Sequence, residues 1–478
     1  MVFSSLIFLY AFLPISLLCY VLCPGLKAKN VSLLVFSLIF YAWGEPKYVV
    51  LLMLMAAVDW FCALRIDIGE SRGERRAWLI LAIVIDLMLI GVFKYAGLVC
   101  SVFGPVPPLV QRITLPIGIS FYTFQLMTYV IDVYRQDVDA EHAYWHVLLY
   151  AALFHQCVAG PIVRYNSIAS ELFSHRNEGV ELTDGIRRFT AGLAKKALLA
   201  NPCGALADAI LLSDSAASDP ALFLDNLSYL QSVSVLGTWL GMAAFMLQIY
   251  LDFSAYSDMA IGMGRMLGLH YPENFNYPYT SRSVTEFWRR WHMSLSGFFR
   301  DYVYIPLGGN RCSLARNILN TLIVWALTGL WHGASWNFVM WGLYYFAFLM
   351  LERGFLKRIL DRLHVLPHLY LLFVVFCGWI LFRFSDIRLG WTVVLGLFGL
   401  NGNILSDFTS VTMLQNNLFL LLASAVISTP LIRWISEQLS CFAVWRGCRS
   451  MLFPILLLLL STCALVGESY NPFLYFQF

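Results

Sequence analysis

Charge is what this sequence has least of. Only 13% of its 478 residues are Asp, Glu, Lys or Arg, about half the share of a soluble domain, while 59% are hydrophobic and mean hydropathy is +0.70. That balance excludes a water-soluble globule and leaves a polytopic membrane protein. The net charge is only +3 and no basic run exists, so nucleic acid is not a partner. The 11 cysteines are scattered, several inside apolar runs (Cys19, Cys62, Cys377, Cys463), with no C-x-x-C pair and no histidine at metal spacing. They read as small packing residues, not as disulfides or metal ligands. Gly308 and Gly309 lack the G-K-[ST] ending and strand context of a phosphate loop. The N-terminus has no basic n-region. Its apolar run continues to about Leu22 before Lys27 and Lys29, which reads as a retained first helix with Met1 outside and the lysines in the cytoplasm.

What is present is hydrophobic length. Apolar runs near 2–22, 31–43, 46–64, 77–99, 113–131, 143–163, 227–251, 317–351, 367–382, 388–400, 416–434 and 450–467 predict an all-α chain with about 11 or 12 crossings. The run at 31–43 is short or tilted, and 388–400 has the length of half a helix. Arg65, Arg72, Arg75 and Arg76, then Arg187, Arg188, Lys195 and Lys196, and later Arg353, Lys357 and Arg358 mark cytoplasmic loops. In residues 184–212, Ile186, Phe189, Leu193 and Ala197 recur at helical spacing, the pattern of an amphipathic helix on the cytoplasmic membrane surface. Asp252, Ser254, Tyr256, Ser257 and Asp258 follow a hydrophobic span, and Gly262, Gly264 and Gly268 precede a loop with Pro272 and Pro278. Carboxylates there imply irregular backbone lining a cavity, or else helix caps and arginine partners for Asp252 and Asp258.

The most unusual stretch is 285–341. From 317 to 351 there is no charged residue, more chain than one upright helix needs, so it forms a long tilted helix or two pieces broken near Gly333. His332 lies near its middle between Trp331 and Trp336, where a polar side chain is costly unless it faces a protein interior or water. The segment before it is amphipathic. Phe287, Trp288, Trp291, Leu295, Phe298, Phe299 and Tyr302 share one face and Glu286, Arg289, Arg290, Ser296 and Arg300 the other, the pattern of one interfacial helix with His292 turned toward the protein. A turn follows at Pro306, Gly308 and Gly309. Either histidine alone is as often a packing residue as a functional one; two in such segments favour function.

Thr285–Ser296, Asp301–Asn310 and Leu330–Phe338, with their Trp-Arg-Arg-Trp-His and Trp-His-Gly-Ala blocks, closely resemble the membrane-bound O-acyltransferase (MBOAT) family. The nearest branch is the alginate O-acetyltransferase membrane subunit (AlgI type), with the D-alanyl transferase DltB and the peptidoglycan O-acetyltransferase PatA as relatives. The resemblance runs over most of the chain. It implies one MBOAT transmembrane domain over 1–478, a ring-like fold with a central funnel or tunnel in the cell inner membrane, and no bound cofactor. It also implies His332 as catalytic residue and His292 as the second signature histidine. Candidates to line the pocket are Trp331, Asn337, Trp336, Asp258, Asp252, Trp288 and Arg289.

The expected chemistry is transfer of acetyl from acetyl-CoA or another cytoplasmic thioester toward an exported polysaccharide. Burial disfavours the imidazolium, so His332 is expected to be neutral and able to act as general base. The resemblance implies one further component, a periplasmic SGNH-hydrolase-like partner that hands acetyl to the glycan. The aromatic tail 470–478, outside on positive-inside reasoning, reads as an interfacial anchor, or, by resemblance to related acylation systems, as an acyl relay at Tyr475. Alginate, peptidoglycan and cellulose systems share this type of subunit. Acylation of lipid or protein is a second reading within the family, and a transporter or flippase is the competing class; the inverted repeats expected of the latter are not visible in the sequence.

Overall fold

The computed structural model describes residues 2–174, 176 and 181–467, so Tyr475 lies outside the described residues. The described residues form helices and no strands. Among the described residues, seven helices are long and apolar enough to cross a membrane: Gly25–Gly44, Val49–Ile68, Arg72–Phe103, Val235–Met266, Leu366–Arg383, Phe408–Ile427 and Ala443–Gly467. Two shorter apolar helices, Phe8–Leu22 and Ile387–Leu397, join them. Several of the apolar runs read from the sequence contain breaks. The described residues pack into two compact units: those up to Leu193 with Tyr256–Glu273 and Phe453–Val466, and Ala194–Ala255 with Asn274–Leu452 and Gly467.

In the first unit the helix Ile119–Arg135 is buried at nearly every position, so its polar residues need internal partners. Gly118 precedes it at φ +78°, and a Cβ there would lie 2.5 Å from the Cys157 carbonyl oxygen, so only glycine fits. The run at 143–163 is not one span: its helix stops at Ala152, and the buried irregular chain beyond is held by Ser37 Oγ, which accepts from the Phe154 amide, and by Tyr150, which donates to the Val163 carbonyl. His155 sits in this segment, fully buried, with Nδ1 2.5 Å from the Tyr271 hydroxyl.

The amphipathic stretch near 184 begins as a helix with one face packed and Leu182 and Ile186 exposed. Its helix Leu182–Ala194 lies against Tyr256–Met266 with backbones touching, since a Cβ on Gly185 would come within 2.7 Å of the Gly262 carbonyl oxygen. Arg188 Nη2 reaches Asp258 at 2.9 Å and also pairs with Glu273. The carboxylates of this region therefore do not mark irregular backbone. The helix Val235–Met266 runs unbroken through both Asp252 and Asp258, because basic partners let the carboxylates stay helical.

In the second unit, the sequence-predicted run 227–251 divides after Ser232, and 416–434 divides into Phe408–Ile427 and Leu431–Leu439. Asp407 and Ser410 form a reciprocal capping box that starts the former. Lys196 Nζ meets Asp252 at 2.7 Å with both side chains almost wholly buried, and Lys195 donates to Ser254 at 3.2 Å. Losing one partner of such a buried pair costs about 3–5 kcal/mol, because the other charge is left without compensation.

One surface cluster makes folding pH-dependent. His270 Nδ1 is 2.8 Å from Glu171 and Nε2 is 3.2 Å from Glu181, all in the first unit. Partial burial lowers the imidazole pKa, but hydrogen bonds and charge from Glu181 and Glu171 outweigh it and the net shift is upward. A raised folded-state pKa gives stabilisation that is complete below the unfolded value of about 6.5 and is lost as pH rises through the folded value. Thermal melts of wild type and His270→Gln should therefore differ most below that value and converge in alkaline buffer.

Candidate active site

The uncharged stretch folds as the second of the two alternatives, a helical hairpin broken near Gly333. Helix Leu314–His332 ends on the histidine itself, three residues reverse the chain, and helix Trp336–Leu351 returns. Two glycines allow the reversal. A Cβ on Gly329 would fall 2.3 Å from the Phe338 carbonyl oxygen, and one on Gly342 2.3 Å from that of Trp325, so the helices pack backbone to backbone. His332 is thereby held at the root of the hairpin, 2% exposed, with its ring 4.9 Å from Trp331, 4.9 Å from Trp341 and 5.2 Å from Phe382.

His292 arrives by a different route from the one its sequence suggests. The amphipathic segment is not a continuous helix: Val284–Arg290 stops, His292 takes φ +44° and ψ +54°, and a new helix begins at Met293. Left-handed backbone at a residue other than glycine persists only where surroundings enforce it. Here the preceding loop does so, since the Asn274 carbonyl accepts from the Met293 amide and the Arg290 carbonyl accepts from the Asn276 amide, both at 2.9 Å.

The same asparagine selects the tautomer. Asn274 Oδ1 accepts from the Ser294 amide at 3.3 Å and from the Ser294 hydroxyl at 2.9 Å, which identifies that atom as the oxygen. His292 Nδ1, 3.2 Å away, must then carry the proton, and Nε2 holds the lone pair. His292 lies outside the helices long enough to span a membrane, and burial pulls its pKa down to about 3, so it is neutral at physiological pH. Its ring is 4.7 Å from Phe253 and 5.5 Å from Trp331. Trp331 therefore touches both imidazoles.

Among the candidate lining residues, Trp331, Asn337 and Trp288 are buried in the second unit with the histidines. Asn337 donates to the Leu381 carbonyl at 3.1 Å. Two others are exposed and not packed with the histidines: Trp336 is 56% exposed at the start of the returning helix, and Arg289 projects from the exposed side of its short helix. Asp258 is engaged by Arg188, the arginine alternative, and Asp252 by a lysine, Lys196, instead of an arginine. No group of three or more His, Cys, Asp or Glu residues is placed to hold a metal among the described residues.

Sequence reasoning missed Asn274, Trp341, Phe382 and above all Glu352. Glu352, 3% exposed, accepts from the amides of Val284 (2.6 Å) and Thr285 (3.0 Å), the Thr285 hydroxyl (2.7 Å) and Tyr370 (3.3 Å). It follows the His332 hairpin and grips the start of the helix leading to His292, so one carboxylate ties the two histidine segments together. Its signal was visible, as the first charge after the long uncharged run.

The profile of the membrane-bound O-acyltransferase family matches residues 139–361, a range that holds both histidines. A relative from Azotobacter vinelandii, described as a probable alginate O-acetylase AlgI, is 34% identical over 519 residues, with all of both chains covered. One of the same description from Pseudomonas aeruginosa is 38% identical over 424 residues, covering 86% of this chain and 78% of the relative. The peptidoglycan O-acetyltransferase of Helicobacter pylori is 31% identical over 441 residues, covering 84% and 80%.

Two substitutions test the scaffold. Glu352→Ala strips a charged acceptor from buried donors, each worth about 1–3 kcal/mol when left unpaired, and Glu352→Gln restores one carbonyl oxygen. Melting temperatures should fall in the order wild type, Gln, Ala. Gly342→Ala should lower the melting temperature by forcing the hairpin helices apart, and an unchanged value would contradict the close packing described here.

Proposed function

Because the chain belongs to the membrane-bound O-acyltransferase family and is an acyltransferase, we propose that it takes acetyl from a cytoplasmic thioester, acetyl-CoA or another, and passes it across the inner membrane for O-acetylation of an exported polysaccharide such as alginate. The observation that carries this reading is the pair of buried imidazoles on one indole, with His292 held as a neutral tautomer by Asn274. The names of the Azotobacter and Pseudomonas relatives support alginate as the polymer. Peptidoglycan is the second reading, supported by the Helicobacter relative.

In this reading His332 is the general base that takes the proton from the attacking hydroxyl, and His292 is the neutral partner whose Nε2 accepts a hydrogen bond. A dry aromatic surround protects the thioester from hydrolysis and strengthens each polar contact. A periplasmic hydrolase-like partner receives the acetyl group, with Tyr475 as the relay on this chain.

His332→Ala should lower polysaccharide O-acetylation by the roughly 10²–10⁴-fold typical of a lost general base, with the protein still in the membrane at normal level. His292→Ala should lower it less. Undiminished O-ester content in the His332 variant would end the proposal. Tyr475→Phe keeps an aromatic anchor and removes the acyl-accepting oxygen; wild-type acetylation in that strain would remove the relay and leave the role of His332 standing.

A further inference from the structure

The surround of His332 contains hydrogen-bond donors that the protein itself does not satisfy. Among the described residues, the buried indole Nε1–H groups of Trp341, 0% exposed, and Trp288, 9% exposed, find no acceptor, and neither does the buried Tyr345 hydroxyl find a partner. Indole is a donor only, so these groups cannot be satisfied by reversing roles. The three rings touch: Trp288 is 5.4 Å from Trp341 and 4.9 Å from Tyr345, and Trp341 is 5.2 Å from Tyr345. The Tyr345 hydroxyl is committed to packing, since a Cβ on Gly378 would come within 2.4 Å of it. The two indoles remain, and Trp341 is also in edge contact with His332 at 4.9 Å.

Burying unsatisfied donors is costly, and proteins hold such groups where an oxygen of a ligand or transition state completes them. We infer that Trp341, with Trp288 beside it, donates the hydrogen bond to the carbonyl oxygen that becomes negative during acyl transfer. This rests on His332 as the base. The attacking hydroxyl oxygen bonds to the thioester carbonyl carbon, its proton passes to the His332 imidazole, and the carbonyl π pair moves onto the oxygen facing Trp341. That pair then re-forms the double bond, the carbon–sulfur bond breaks, and the thiolate takes the proton back from the imidazolium. A carbon attacked by a hydroxyl on His332 lies within reach of a ring in contact with that histidine. Neither indole donates to an acceptor among the described residues, so both are free to meet charge that develops at the transition state.

The test replaces N–H without replacing shape. Trp341→Phe, and 3-benzothienylalanine at 341, which exchanges the indole N–H for sulfur, should each lower the rate of polysaccharide O-acetylation in cells by about 10²-fold, the usual effect of one lost oxyanion donor. Trp288→Phe should have a smaller effect in the same direction. Wild-type rates in the benzothienyl protein, alongside loss in His332→Ala, would overturn the donor assignment and leave the base intact. A second readout does not depend on turnover. In the full chain in lipid nanodiscs with ¹⁵N-labelled indoles, acetate supplies the oxyanion mimic. Saturable downfield shifts of the Trp341 and Trp288 Nε1–H resonances support the assignment even if His332→Ala proves active and the base reading falls. Absence of a shift at both indoles would overturn it.

Discussion

A helix that stops inside an apolar unit leaves its last carbonyls without helical partners, and the structure is built around one such stop. Helix Leu314–His332 ends where the chain must turn back, and the cost is borne because Gly329 and Gly342 let the returning helix lie directly on it. Close packing replaces side-chain bulk with backbone contact, the means by which helices in apolar surroundings associate without a hydrophobic driving force. Once that contact is made, His332 has no freedom of position. Trp331, Trp341 and Phe382 close around it, and the aromatic core of the second unit grows outward from these rings.

Charged groups serve this core by fastening irregular backbone, not by decorating its surface. Glu352 gathers two amides and two hydroxyls at the start of the Val284–Arg290 helix. Asn274 performs the neutral counterpart at His292, fixing both the left-handed turn and the position of a proton. Lys196 neutralises the Asp252 carboxylate, which would otherwise have to leave its helix. In each case the expensive group is next to a break or a carboxylate that a membrane chain could not tolerate unaided.

Much of this was legible in the sequence, for identifiable reasons. The hairpin could be read from the missing charge between Arg316 and Glu352, and its break from Gly333, because apolar length and glycine position act locally. The two histidines stood out against that background for the same reason. The break at His292 was not legible. Periodicity over 285–302 fits one helix, and backbone bonds from a separate loop, at Asn274 and Asn276, reverse the preference. Asp252 and Asp258 misled because their lysine and arginine partners are 56 and 70 residues away. Trp336 and Arg289 misled because sequence adjacency to a histidine says nothing about which way a side chain points. Nor could the sequence distinguish the exposed Trp336 from the buried Trp341 five residues later.

The tightness of the hairpin bears on how substrates come and go. An imidazole at the foot of a three-residue reversal, between helices in backbone contact, cannot swing through several ångströms as a residue on a long loop can. It behaves as a fixed post. If His332 is the base proposed above, the moving parts of the catalytic cycle are the groups that approach it, not the histidine itself.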